Sequence, residues 1–285
     1  MNVGVIANPH RADASTKLQE LDALAKKKGI VLYTCGSTHD LLPTSKQVNQ
    51  EEFAEHIDVL LALGGDGTLL YSSRILNGAN VPILGINLGH LGFLTSLRED
   101  QLETAVDAII SGDYKTTERT VIDCIISENG KPKTWRALNE VAIGWGPSAR
   151  MAHIELKIDD QPITVYSCDG LIISTPTGST GHSLSAGGPI VHPNTPAWII
   201  NVMCPHTLTY RPIVLPDNVE IEVGIKRGSK KLLIAIDGQD GGTFDPGDTI
   251  EIRKAKRGVT LISLAEQSYF KVLSEKLDWR GSHVN

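Results

Sequence analysis

Short apolar runs alternate with helix-like segments over the first 118 residues. The predicted strands are residues 3–7, 30–33, 59–63 and 81–86. The uninterrupted apolar run 59–63 is typical of a strand that is buried on both faces. Residues 102–110 repeat apolar side chains at helical spacing and predict an amphipathic helix that ends at Gly112. This alternation predicts an N-terminal α/β domain, residues 1–118, with a parallel sheet.

After about residue 118 the pattern changes to a period of two. Residues 154–159 and 219–226 place apolar side chains at every second position, and turn-forming pairs such as Asn129-Gly130 interrupt the runs. We therefore predict a second, β-rich and β-sandwich-like domain over residues 119–264. No proline-rich linker separates the two domains, so we expect them to pack tightly and a ligand to bind between them.

Composition and charge narrow the class of protein. With 285 residues, 41% hydrophobic and 21% charged, the chain is long and apolar enough for globular cores. A net charge of -6 argues against a nucleic-acid partner, so any bound anion must be held locally by loops and helix ends. Neither a signal peptide nor an 18-residue apolar run is evident, which predicts no membrane association and a cytoplasmic location.

The four cysteines carry little functional information. Cys35, Cys124, Cys168 and Cys204 include no Cys-x-x-Cys pair. We expect buried free thiols, because the spacing fits neither a disulfide framework nor a zinc site.

A glycine-rich turn follows the buried run 59–63. Gly64, Gly65 and Gly67 surround Asp66, and helix-like sequence comes next. Such a turn favours phosphate, because backbone N–H groups and the positive end of a helix dipole face one point. Asp66 repels phosphate but suits an acceptor hydroxyl, as a general base or an orienting group. An ordinary turn residue or a helix cap is the alternative.

Two common nucleotide signatures are absent from the chain. There is no Gly-x4-Gly-Lys-Ser/Thr loop, and no Gly-x-Gly-x-x-Gly follows the first strand. Both absences argue against a P-loop enzyme and a dinucleotide-dependent dehydrogenase.

A second polar segment extends from residue 169 to 193. Asp169-Gly170 and the apolar run 171–173 precede a stretch rich in serine, threonine and glycine. Small hydroxyl groups and backbone donors at a strand end suit phosphate, ribose or amide groups. The alternative is a polar loop before a helix, with Asp169 as a turn former.

Four blocks in this order resemble the NAD kinase family. They are residues 64–68, 87–93, 139–140 and 169–193, and residues 204–206, 211–214 and 237–239 also match. The resemblance covers nearly the whole chain. The Gly-Gly-Asp-Gly block alone is shared with lipid kinases and phosphofructokinases, whereas its combination with the other blocks is specific.

The resemblance implies phosphoryl transfer from ATP to the 2'-hydroxyl of the adenosine ribose of NAD, which gives NADP. Asp66 would be the proton acceptor, and Gly67 would lie against the dinucleotide. Asn139 and Glu140 would bind ribose hydroxyls, since an amide and a carboxylate together offer a donor and acceptors to a diol.

Further contacts are implied by the same resemblance. Ser167 and Asp169 would lie near the nicotinamide or its ribose, and Arg150 would contact the pyrophosphate or remain solvated. Phe93 would pack on a purine face or in the core. The dinucleotide site would be lined by Thr180, Gly181, His182, Ser183 and Ser185 and closed by Gln239.

One departure from the family pattern concerns residues 181 and 182. The family usually has Ala-Tyr here, whereas this chain has Gly181-His182. His182 keeps a flat ring but titrates near neutral pH, which leaves base stacking and pH dependence open.

The sequence also bears on the cation, the oligomeric state and the alternative functions. No carboxylate cluster predicts a protein metal site, so we expect Mg²⁺ or another divalent cation on the phosphates of ATP. The resemblance implies a homodimer or homotetramer, with a site often shared between subunits, and residues 265–285 returning to the first domain. Polyphosphate as donor and NADH as acceptor stay open. A lipid or sugar kinase and a non-catalytic nucleotide sensor are the alternative functions.

Overall fold

The computed structural model describes residues 1–89, 92–95, 97–128, 131–144, 151–226, 231–264 and 268–279. The chain forms two compact units, Met1–Glu118 with Val259–Asn285 and Arg119–Gly258. Each unit is built around its own hydrophobic core.

The elements follow one another closely along the chain. Helices are α1 (Ala14–Lys28), α2 (Ser37–Leu41), α3 (Asp66–Leu76), α4 (Leu102–Ser111), α5 (His182–Ser185) and α6 (Tyr269–Lys276). Strands up to residue 119 are β1 (Asn2–Ala7), β2 (Val31–Thr34), β3 (Lys46–Gln47), β4 (Val59–Gly64), β5 (Ile83–Asn87), β6 (Leu97–Arg98) and β7 (Lys115–Arg119). The next strands are β8 (Ile122–Glu128), β9 (Lys131–Ala137), β10 (Glu140–Gly144), β11 (Ala152–Ile158), β12 (Gln161–Cys168), β13 (Gly170–Ser174) and β14 (Ala197–Met203). The last strands are β15 (Ile213–Pro216), β16 (Ile221–Ile225), β17 (Leu232–Ile236), β18 (Gln239–Phe244), β19 (Thr249–Lys254) and β20 (Val259–Ser263).

The first unit is an α/β domain around a mostly parallel sheet. Its strand order is β3-β2-β1-β4-β5-β20-β7, and β6 pairs with β5. Strand β4 is buried at every position, because helices cover both faces of a parallel sheet. Helix α1 packs Leu18 and Leu21 on this core and ends at Gly29, whose positive φ of 69° gives a left-handed cap. The predicted fold class is confirmed for this unit.

Two antiparallel sheets enclose the core of the second unit. One has the order β15-β14-β13-β10-β17-β18, and the other β12-β11-β16-β19-β8-β9. The alternation along β16 matches its burial, with Ile221, Val223 and Ile225 in the core. Trp198 and Phe244 are the largest buried side chains there. The β-rich, sandwich-like fold predicted for this region is confirmed.

The end of the second unit differs from the sequence-based boundary. The pattern assigns residues 259–264 to the β-rich domain, whereas β20 pairs in parallel with β5 through Leu261 and Ile83. Ile262 belongs to the first core. A short apolar run looks the same in parallel and antiparallel sheets, so its sequence does not reveal which sheet it joins.

All four cysteines are free, and three of them are buried. Burial raises the pKa of Cys35 and Cys168 to about 11, which keeps both thiols protonated at neutral pH. The expectation of buried thiols is wrong for Cys204, which is exposed in the loop after β14.

Among the described residues, no helix combines the length and the apolarity needed to cross a bilayer.

Candidate functional site

The glycine-rich turn connects β4 to α3. Gly64 is the last residue of β4, Gly65 precedes the helix, and Asp66 and Gly67 begin it. A Cβ atom at Gly64 would overlap the side chain of Thr68, so this position requires glycine. Gly67 is exposed, and a Cβ atom there would meet nothing within 4 Å. The Gly67 backbone in the first helical turn is therefore open to an anion.

The Asp66 carboxylate is bound by the loop that follows β5. Its Oδ2 accepts a hydrogen bond from the Phe93 backbone N–H at 2.8 Å. Its Oδ1 accepts bonds from the N–H groups of Leu94 at 3.0 Å and Thr95 at 3.2 Å. The Thr95 hydroxyl adds a longer contact of 3.4 Å to Oδ1. Asp66 thus fixes a neighbouring loop, which is neither of the two structural roles that the sequence left open.

The loop is shaped around this carboxylate. A Cβ atom at Gly92 would overlap Asp66 Oδ1, so only glycine fits there. Asn87 Nδ2 donates to the buried Thr95 hydroxyl at 2.9 Å, which fixes the far side of the loop. A carboxylate oxygen has two acceptor positions, and the described residues fill one of those on Oδ2. Asp66 can therefore accept one more hydrogen bond while its loop contacts stay intact. Phe93 is half-buried, and a packing role for its ring stays a prediction.

In the second unit, a hairpin aligns Asn139 and Glu140. Asp237 and Gly238, with φ of 49° and 72°, form the tight turn between β17 and β18. The Asp237 carboxylate accepts bonds from the backbone N–H groups of Leu138 at 2.9 Å, Asn139 at 2.7 Å and Glu140 at 3.2 Å. Asp237 belongs to a block that resembles the family, and the resemblance implies no role for it. The Asp-Gly pair signals the turn, but nothing in the sequence signals these bonds.

The serine- and threonine-rich loop lies directly on Asn139. The Thr175 N–H donates to the Asn139 carbonyl at 2.8 Å, and the Thr175 hydroxyl donates to the Leu138 carbonyl at 2.6 Å. A Cβ atom at Gly181 would lie 3.5 Å from Glu140 Oε2 and 3.6 Å from Asn139 Nδ2. The structure therefore brings the predicted Asn139-Glu140 pair together with the predicted loop.

Several polar atoms in this cluster have no partner. The side-chain oxygens Asn139 Oδ1, Glu140 Oε2, Thr177 Oγ1 and Ser183 Oγ are buried without a hydrogen bond within the described part of the chain. Such atoms each cost about 1–3 kcal/mol unless a ligand or water pairs with them. Burial, and secondarily the charge of Asp237, raise the pKa of Glu140 to about 7. The cluster therefore presents neutral and ionised acceptors, and at least one donor, to a polar ligand.

Two other predicted contacts lie at the far end of β13. Ser167 Oγ hydrogen-bonds His153 Nδ1 at 3.0 Å. The exposed Asp169 accepts a hydrogen bond from the Cys204 thiol, which raises the pKa of that thiol. Asp169 precedes β13, whereas Ser174 at its end pairs with Glu140. Five residues of strand separate the two groups by about 17 Å. The structure does not bring Ser167 and Asp169 to the Asn139 cluster.

The remaining predicted residues occupy varied positions. Thr180 ends a short 3-10 helix, Gly178–Thr180, and Gly181 connects it to His182, the first residue of α5; Thr180 and Gly181 are half-buried. Ser185 is exposed at the end of α5, and Gln239 is exposed at the start of β18. Arg150 and His90 lie outside the described residues, as do parts of the segment 265–285.

Comparison with known proteins identifies the family. Residues 3–114 match the ATP-NAD kinase N-terminal domain, and residues 138–264 match the ATP-NAD kinase C-terminal domain. The NAD kinase of Geobacter sulfurreducens is 37% identical over 278 residues, 97% of this chain and 98% of that protein. This chain belongs to the NAD kinase family. It is accordingly an enzyme of the kinase class, which argues against a non-catalytic sensor and against lipid or sugar kinases.

Other relatives of the NAD kinase family support the same assignment. The NAD kinase of Gemmatimonas aurantiaca is 45% identical over 227 residues, 79% of this chain and 78% of that protein. The crystal structure of yeast NADH kinase with NADH matches with a TM-score of 0.91 and 25% identity, over 99% of this chain and 89% of that chain. The Archaeoglobus fulgidus NAD kinase complexed with ATP has the same fold, with a TM-score of 0.77 and 24% identity, over 99% of this chain and 100% of that chain.

The close packing at Gly178 gives a first prediction. A Cβ atom there would lie 2.5 Å from the Asn139 carbonyl carbon and 2.7 Å from its Cα, so Gly178→Ala must displace the Asn139 backbone. We expect about 1–3 kcal/mol lower unfolding free energy, and at least about tenfold lower kinase activity because a small misplacement of a positioning residue is costly.

Urea unfolding measures the change in unfolding free energy, and an assay of NAD phosphorylation by ATP measures the change in kinase activity. Gly224→Ala is the matched control, because its Cβ atom would lie 3.6 Å from the nearest atom, Glu155 Oε2. Equal behaviour of the two variants would contradict the inferred packing.

The raised pKa of Glu140 predicts a pH-dependent gain in stability for Glu140→Gln. Below pH 4.5 the carboxyl is neutral in the folded and unfolded chains, so it costs nothing. Between pH 4.5 and about 7 it ionises only in the unfolded chain, which destabilises the fold, and above pH 7 the cost is constant. The unfolding free energy of Glu140→Gln, relative to the wild type, should therefore increase by about 3 kcal/mol between pH 4.5 and about pH 7.

Unfolding free energies measured in urea at pH 4.5 and pH 8 test this expectation. Glu251→Gln, which removes an exposed carboxylate from the same unit, reports the effect of one surface charge. A difference between Glu140→Gln and the wild type that does not change with pH would show that Glu140 is not held in its neutral form.

Proposed function

We propose that this enzyme transfers the terminal phosphoryl group of ATP to the 2'-hydroxyl of the adenosine ribose of NAD, giving NADP and ADP. Membership of the NAD kinase family supports the substrates. The observation that carries the residue assignment is the Asp66 carboxylate, which the Phe93–Thr95 backbone holds with a single hydrogen bond to Oδ2 from the described residues.

The transfer breaks one bond and forms one. The 2'-oxygen attacks the terminal phosphorus, the bond from that phosphorus to the bridging oxygen breaks, and ADP leaves. The hydroxyl proton passes to Asp66 and then to solvent. The transition state of phosphoryl transfer is loose, so orientation of the hydroxyl contributes as well as proton removal. Gly65 and Gly67 would present backbone N–H groups to the phosphates at the start of α3.

Asn139 and Glu140 are proposed to bind ribose hydroxyls. Near pH 7 the Glu140 carboxyl exists in both protonation states, so it can donate to one hydroxyl or accept from another. A bound diol would also supply partners for the buried oxygens that lack them. The further dinucleotide contacts remain proposals: Phe93, Arg150, Ser167, Asp169, Thr180, Gly181, His182, Ser183, Ser185 and Gln239.

A divalent cation is proposed to enter with ATP. Within the described residues, no group of three His, Cys, Asp or Glu side chains is arranged to hold a metal ion. Mg²⁺ keeps several waters and binds substrate phosphates readily, so it fits as a counter-ion of ATP that neutralises phosphate charge. The use of polyphosphate as an alternative donor stays open, and a cytoplasmic location stays a prediction from the sequence.

A homodimer or homotetramer belongs to the same proposal. Asp169 lies about one strand length, about 17 Å, from the end of β13 that pairs with Glu140. A second copy would supply Ser167 and Asp169 to the same dinucleotide if the site is shared between subunits.

Asp66→Asn tests the proposed base. We expect kcat for NADP formation to fall by about 10²- to 10⁴-fold, because an amide cannot take the proton. The amide has one acceptor oxygen, so some contacts to the Phe93–Thr95 backbone will also be lost. Affinity for NAD, measured by calorimetry, should change only a few-fold.

Thr95→Ala separates chemistry from loop structure. It removes a hydroxyl contact to Asp66 and the partner of Asn87 but keeps the carboxylate. We expect a kcat loss of less than about tenfold. If Thr95→Ala were as inactive as Asp66→Asn, Asp66 would serve to hold the loop rather than to accept a proton.

A further inference from the structure

Arg11 lies on the same edge of the sheet as the glycine-rich turn. It follows β1, which pairs in parallel with β4, and Ala7 is opposite Leu63 at the carboxyl ends of both strands. The Asn8 N–H donates to the Leu63 carbonyl at 3.0 Å, which holds the two strand ends together. Ligands of open α/β sheets bind at this edge. The loop that carries Arg11 therefore starts beside the turn that carries Asp66.

The Arg11 guanidinium lies against two glycine backbones. A Cβ atom at Gly65 would be 3.9 Å from Arg11 Nη2, and one at Gly89 would be 3.4 Å from Nη1 and 3.5 Å from Nη2. Gly65 belongs to the turn after β4, and Gly89 belongs to the loop after β5. The absence of side chains at both positions leaves room for the guanidinium over the turn.

The Arg11 backbone is fixed, whereas its charge is not neutralised. Its N–H donates to the Asn8 carbonyl at 3.2 Å, and its carbonyl accepts from the Ala14 N–H at 3.1 Å at the start of α1. Its side chain takes no part in the ion pairs of the described residues, and the Asp66 oxygens bind the loop after β5 instead. An arginine held over a glycine-rich turn, with no side-chain partner among the described residues, is suited to an anion.

We propose that Arg11 binds the terminal phosphate of ATP and orients the phosphoryl group that is transferred. The Gly64–Gly67 turn contains no lysine, unlike a P-loop, and the chain has a net charge of -6. Arg11, in the loop after β1, thus supplies a protein cation to the phosphate in addition to the divalent cation that enters with ATP. A guanidinium matches two phosphate oxygens at once and stabilises the charge that spreads over them during transfer. This role rests on the proposed function.

Kinetics of Arg11→Gln test the assignment. We expect KM for ATP to rise by about tenfold or more and kcat to fall, with KM for NAD within about twofold of the wild type, because a charge-assisted contact to the donor is lost. Arg11→Lys keeps the positive charge but loses the bidentate guanidinium, so its KM for ATP should lie between those of the wild type and Arg11→Gln. Arg98→Gln is the matched control, since its side chain is 71% exposed and its contact to Asp100 is long, at 4.0 Å.

A second measurement isolates the phosphate contact. Tripolyphosphate should inhibit the wild type in competition with ATP, and Arg11→Gln should weaken this inhibition by about tenfold. Unchanged thermal midpoints would show that all variants are folded. An active wild type whose KM for ATP and tripolyphosphate inhibition are unaffected by Arg11→Gln would refute the role of Arg11 alone. A wild type that forms no NADP from ATP and NAD would instead refute the proposed function.

Discussion

The candidate site of the first unit depends on the hydrogen bonds between the Asp66 carboxylate and the backbone of the loop after β5. Phe93, Leu94 and Thr95 each donate an N–H group to it, and Gly92 leaves the space that it occupies. A carboxylate held in this way need not reorganise when a hydroxyl arrives, because three backbone N–H groups already determine its position. The same contacts order the loop, so the turn and the loop form one unit.

In the second unit, too, one carboxylate accepts three backbone N–H groups, and here it also affects the pKa of a neighbouring carboxyl group. Asp237 accepts three backbone N–H groups of residues 138–140, as Asp66 does for its loop. The negative charge of Asp237 also contributes to the raised pKa of Glu140, after the larger effect of burial. The residue that aligns the Asn139-Glu140 pair therefore also favours the neutral form of Glu140. Positioning and protonation are coupled through one side chain that touches no ligand in the proposed reaction.

The sequence predicts features that depend on local pattern. The buried run 59–63, the alternation over 219–226 and the turn around Asp66 all have counterparts in the structure, since burial and backbone geometry act over a few residues. It does not predict the partners of Asp66, 27–29 residues away, or of Asp237, 97–99 residues away. These bonds end on backbone N–H groups, which almost every residue carries, so the partner leaves no signature. The sequence does not predict the position of the Arg11 side chain either, because its neighbours are the backbones of two glycines.

The buried oxygens around Glu140 indicate how this part of the site discriminates between ligands. Within the described residues, Glu140 Oε2 and Ser183 Oγ are buried without partners, and the strands that carry the cluster belong to a large, well-packed core. A sugar that offers hydroxyls regains these hydrogen bonds, whereas an analogue that lacks them leaves buried polar groups unpaired and is rejected strongly. Gly181 also affects the shape of this part of the site, because a Cβ atom there would lie 3.5 Å from Glu140 Oε2. Where the family usually has alanine, this chain leaves a methyl-sized space beside the carboxyl group. In the proposed function, recognition of the ribose would thus depend on hydrogen-bond complementarity, with more room beside the Glu140 carboxyl group than a side chain at position 181 would leave.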